Sequence, residues 1–104
     1  MFHGKRFALK HLGTLRGRGG LSIRSDPRLV GTVDYEIDGF ADQRQSSANG
    51  RIEGNAEILR QAFEARTARI QLEGGTSIDV VLANPRGGLV AEIVVHGRIP
   101  AFVR

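Results

Sequence analysis

The sequence predicts a mainly β domain of the α+β class: a twisted antiparallel sheet or small, partly open barrel of about 5–6 strands with one short helix. Three observations carry that expectation. Apolar and polar residues alternate with a period of two over most of residues 30–96. Glycine, asparagine and proline punctuate those runs. One stretch, residues 55–66, shifts to helical spacing. A length of 104 residues with 40% apolar and 25% charged side chains suits one folded domain and excludes a disordered or collagen-like chain.

In chain order, residues 1–28 come first and read differently from the rest. They carry seven cations (Lys5, Arg6, Lys10, Arg16, Arg18, Arg24 and Arg28) against Asp26 alone, whereas residues 29–104 hold eight arginines and ten acids. The net charge of +4 and the pI near 10.6 therefore originate in this first quarter. Gly13, Gly17, Gly19 and Gly20 break up any sustained period. The expectation for 1–28 is a loosely organised basic arm or edge with at most a weak strand or two, set against a packed body at 29–104.

That body begins with a strand at 30–41, where Val33, Tyr35 and Ile37 share one face and Thr32, Asp34, Glu36 and Asp38 the other. Phe40 falls out of step after Gly39, which predicts a bulge or the strand's end. Residues 42–46 make a polar connection. At 47–54, Ala48, Gly50 and Ile52 alternate with Asn49, Arg51 and Glu53, and the small residues let another backbone come close. Asn55 is a suitable helix N-cap. The helix it opens places Ile58, Leu59, Ala62 and Phe63 on one side and Glu57, Arg60, Gln61 and Glu64 on the other. Residues 68–73 and 76–83 alternate around Gly74-Gly75 and predict a hairpin. A turn at 84–88 leads to a last strand at 89–96, with Leu89, Ala91, Ile93 and Val95 toward the core. Val81, Val90 and Val94 then lie on the opposite face, so the last two strands are apolar on both sides and need cover. Three candidates could supply it: the basic arm, a barrel wall capped by the helix, or a second copy of the protein. The element order resembles that of the oligonucleotide-binding barrel, a likeness of topology that implies nothing about function.

The chain has no cysteine, which excludes disulfides, thiolate nucleophiles and sulfur-ligated metals. Its apolar runs, such as residues 80–83, fall far short of the ~20 residues that span a bilayer. Lys5, Arg6, Lys10 and His11 interrupt any secretory core, so a cytoplasmic location is the expectation. His3, His11 and His96 lack metal-site spacing, and no metal or cofactor is expected. The carboxylates of Asp34, Glu36 and Asp38 are expected to face arginines across the sheet, for instance Arg51 or Arg69. Serines 22, 25, 46, 47 and 77 have no triad context, and no catalytic constellation can be assembled. Gly17-Arg18-Gly19-Gly20 lacks the Lys-Ser/Thr ending of a phosphate loop. With Arg16 it is reminiscent of arginine-glycine segments that bind RNA, although only Phe2 and Phe7 could stack bases in this quarter.

Arg24 and Arg28 stand four apart, and Ser47-Ala48-Asn49-Gly50 follows nineteen residues later. The arrangement resembles the PilZ pattern, an Arg-x-x-x-Arg loop followed by Asp/Asn-x-Ser-x-x-Gly, which would imply a cyclic dinucleotide clamped by Arg24 and Arg28. Gln45 departs from that pattern and the predicted helix interrupts its strand order, so the likeness is not taken as membership. The functional expectation is a non-enzymatic protein-interaction or self-associating module whose interface includes Val81, Val90 and Val94. The alternative is an anion- or nucleic-acid-binding module using Arg16, Arg18, Arg24 and Arg28.

Overall fold

Every second residue of an extended chain points the same way, and here those residues line the inside of a cylinder. The computed structural model describes residues 10–23, 26–42, 45–97, 99 and 102, with backbone alone at 26–30. Its elements are β1 (Lys10–Ile23), β2 (Asp26–Ala41), β3 (Ser46–Glu53), α1 (Ala56–Glu64), β4 (Ala68–Gln71), β5 (Ser77–Leu82) and β6 (Val90–His96). The strands close into an antiparallel barrel in the order β1-β2-β3-β6-β5-β4. The choice left open between open sheet and barrel is thus resolved in favour of closure.

The alternation read from residues 30–96 holds. Val33, Tyr35, Ile37, Ala48, Ile52, Ile70, Ile78, Val80, Ala91, Ile93 and Val95 all point into the core. Of the two alternatives at Phe40, the irregularity is the one found: β2 continues to Ala41 and the register shifts there, the extra residue lying opposite, between His11 and Gly13 of β1. One local expectation is corrected. Leu89 is not a core residue. It precedes β6, its carbonyl accepts from Gly54 N at 2.8 Å, and its side chain stays exposed.

The expectation of a loose arm or edge is corrected over residues 10–23. β1 pairs with β2 along its length and with β4 from Gly20 to Ile23, where it closes the barrel. Its glycines are what permit the closure. A Cβ on Gly19 would lie 2.2 Å from the Gln71 carbonyl oxygen, and one on Gly17 would lie 2.6 Å from the Tyr35 hydroxyl. Just beyond the last β1–β4 pair, the Glu73 carboxylate accepts from Arg18 N and the Tyr35 hydroxyl accepts from Glu73 N, both at 3.0 Å. These two bonds take over where ladder bonds stop. Residues 1–9 of the expected arm lie outside the described residues.

The two mouths of the barrel are plugged differently. Asn55 Oδ1 accepts from Glu57 N and Ile58 N and opens α1. The helix buries Leu59 and Ala62 against the barrel and lays Ile58 over Gly31. At the other end, Ile99 is buried and the Phe102 ring rests on Gly13 and Gly39. The predicted hairpin turns through Gly74 and Gly75, both at positive φ, and is held by a Leu72 N–Thr76 O bond of 2.7 Å.

Candidate functional site

With the inside of the barrel filled by side chains, anything this protein recognises must meet its outer wall. That wall divides into two zones. On the β1–β2 side, outward residues alternate in sign across the register. Arg16 pairs with Glu36 and Arg18 with Asp34. Arg51 of β3 takes the second oxygen of Glu36 at 2.9 Å. Arg69 pairs with Asp79 of β5 rather than with the β2 acids. Of the three β2 carboxylates expected to face arginines, Asp34 and Glu36 therefore do so, with partners on β1 that were not foreseen, whereas Asp38 meets His11 and Thr14.

The second zone begins at β6. Val90, Glu92, Val94 and His96 point outward. Val94 lies directly across from Val81 of β5 on one side and from Asn49 of β3 on the other. Val94 is 56% exposed, Val90 46% and Leu89 58%. A shallow depression of about 610 Å³ runs beside the valine pair, lined by Asp38, Asn49, Arg51, Val81, Glu92 and Val94 among others. Among the described residues neither α1, which plugs an end of the cylinder, nor β1, which stands away from β5 and β6 in the strand order, covers it. Glu53 and Glu92 are exposed and have no ion-pair partner among the described residues. Glu92 lies between Val90 and Val94 on β6, and Glu53 lies across from Val90.

One cluster combines a hydroxyl, an imidazole and a carboxylate. Asp38 Oδ1 accepts from the Thr14 hydroxyl and lies 3.1 Å from His11 Nε2, with the His11 ring also tilted against Phe40. The Thr14 bond first and the His11 bond second hold the Asp38 carboxyl below the usual carboxylate range. This is not a nucleophile relay. The hydroxyl gives its hydrogen bond to the carboxylate, and the same carboxylate oxygen meets the nitrogen a base would need to keep free. No group of three His, Asp or Glu side chains able to hold a metal occurs among the described residues.

The candidate anion-binding arginines are not gathered into one site. Arg16 and Arg18 stand on neighbouring outward positions of β1, each already on a carboxylate, and hydrogen bonding to Asp34 raises the pKa of Arg18. Arg24 lies outside the described residues, and Arg28 is described only as backbone of β2. The candidate interface residues fare differently, since Val81 and Val94 stand directly opposite each other in the β5–β6 ladder and Val90 follows beyond Glu92. Sequence reasoning missed Glu53, Glu92 and Leu89 as members of this face. The signal was present for Glu92, which sits at even spacing between two outward valines. No helix among the described residues is long and apolar enough to cross a membrane. Compared with known protein families, with characterised proteins and with solved structures, the chain matches none.

Proposed function

We propose that this protein is a non-enzymatic protein-association module whose contact surface is the outer face of β5 and β6. The observation that supports the reading is the directly opposed pair Val81 and Val94, continued by Val90 and Leu89, on a wall that no other element among the described residues covers. Such residues gain on the order of 1 kcal/mol each when a partner removes their exposed halves from water. Binding of an anion or nucleic acid is the weaker reading, because Arg16 and Arg18 would have to leave Asp34 and Glu36 to engage a phosphate.

A photo-crosslinking side chain placed at position 94, with Gln71 on the outer face of β4 as the control position, tests the reading in the living host. Adducts are expected from position 94 and not from position 71. An adduct of twice the chain mass identifies a second copy as the partner, and one of another mass a different protein. Equal adducts at both positions, or none at either, overturn the proposal.

A further inference from the structure

The β5–β6 face combines apolar side chains with two carboxylates, Glu53 and Glu92, that have no ion pair among the described residues. Along β6, Val90, Glu92 and Val94 point outward in succession, with Glu53 across from Val90 and Asp38 on the rim of the depression. The charges lining that depression are Glu36, Asp38 and Glu92 against Arg51, and Arg51 already holds Glu36. The face is therefore locally acidic on a chain whose net charge is +4.

What covers it must bury the valines and answer Glu92. A carboxylate taken from water without a partner costs more than a neighbouring valine returns. A second copy stacked through the same face has a difficulty here. Laying Val94 of one subunit on Val81 of the other, about an axis between β5 and β6, sets Glu92 over Ala83, its neighbour in the register. Ala83 supplies no cation.

Resting on the association reading above, we infer that the partner of this face is a cationic protein segment in extended conformation, with apolar and lysine or arginine side chains taking turns at every second position (apolar-x-cation-x-apolar). Because every second side chain of an extended segment shares a face, this spacing matches the Val90-x-Glu92-x-Val94 order of β6. Each apolar side chain of the segment meets a valine and its cation meets Glu92, with Glu53 across from Val90. Electrostatic complementarity of this kind selects the partner, and the valines hold it.

The probes are two labelled peptides, one repeating Val-Thr-Lys-Thr and one repeating Val-Thr-Glu-Thr, so that one face of each extended chain presents valine and charge in turn, titrated against the full chain by fluorescence anisotropy. Because the protein is a net cation, its field does not attract the lysine peptide in general, and saturable binding must come from a local acidic face. The lysine peptide is expected to bind and the glutamate peptide not. Glu92→Gln is expected to weaken binding roughly tenfold, and Val94→Ser by a similar factor, while Glu64→Gln on α1, the same change of charge elsewhere, leaves it unaltered. Equal binding of the two peptides, or lysine-peptide binding indifferent to both Glu92→Gln and Val94→Ser, overturns the inference. Light scattering separates the two proposals. A dimer abolished by Val94→Ser, without peptide binding, retires the cationic partner and keeps the association reading. A monomer that neither binds peptide nor crosslinks through position 94 retires both.

Discussion

A methyl group on Gly50 would sit 1.9 Å from the Glu36 carbonyl oxygen and 2.8 Å from the Ile37 Cα, both backbone atoms of the paired strand β2. Neither atom can move without separating the strands. Gly50→Ala is therefore expected to destabilise the fold by about 1–3 kcal/mol, the range of core overpacking. A Cβ on Gly20 meets nothing within 4 Å. Gly20→Ala is expected to be neutral or stabilising by up to about 1 kcal/mol, since it removes unfolded-state freedom and adds no clash. Urea melts of the two variants check both signs. Asp38 supplies a pH dependence at the same scale. Its depressed pKa, due to Thr14 and then His11, means that the folded form favours the carboxylate. The resulting stability is complete above the unfolded value near pH 4 and is lost as the pH falls through the lower folded value. Thermal midpoints measured downward from about pH 5 should fall less steeply in Asp38→Asn than in the parent. Parallel curves would show that the Thr14–Asp38–His11 cluster contributes nothing.

At the scale of the element, β6 shows how one strand serves two purposes. Ile93 is 2% exposed and its neighbour Val94 is 56% exposed, because successive side chains of a strand leave on opposite faces. The same replacement should then have two outcomes. Ile93→Thr, which shortens a buried chain and introduces a hydroxyl, is expected to cost about 2 kcal/mol or more. Val94→Thr, β-branched and outward, should stay within about 0.5 kcal/mol of the parent. Denaturation of the pair decides whether the outer face is free of a folding role. This alternation was legible in the sequence, as were the Asn55 cap and the glycine hairpin, because each depends on residues close in the chain. β1 was not legible. Its inward positions include Gly13, Gly17 and Gly19, and a glycine facing a crowded interior reads the same as one in a loop. The even spacing of Arg16 and Arg18 against Leu15, Leu21 and Ile23 was the available signal.

The barrel as a whole is held shut by the seam between β1 and β4, which joins elements separated in the chain by β2, β3 and α1. Closure of this kind couples every strand to its neighbours on both sides, so the molecule should unfold in one step. Tyr35 is the only tyrosine, is buried beside the seam, and has no tryptophan to obscure its emission. Its fluorescence and the far-ultraviolet circular dichroism are expected to trace a single, coincident urea transition. An earlier loss of the tyrosine signal would mean that the β1–β2 ribbon opens while the rest persists.

The sequence by itself determined where the helix and the strands after residue 30 lie, most of the side chains they send into the core, and that the last two strands are apolar on both faces. Those properties follow from short-range periodicity and turn chemistry. Only the tertiary structure decided that the sheet closes, that the basic first quarter supplies a barrel strand, and that Arg16 and Arg18 are matched by Asp34 and Glu36 while Glu53 and Glu92 are left without ion pairs. Those outcomes depend on register between segments far apart in the chain. Periodicity gives the face on which a residue stands, but only the pairing of strands gives its neighbour.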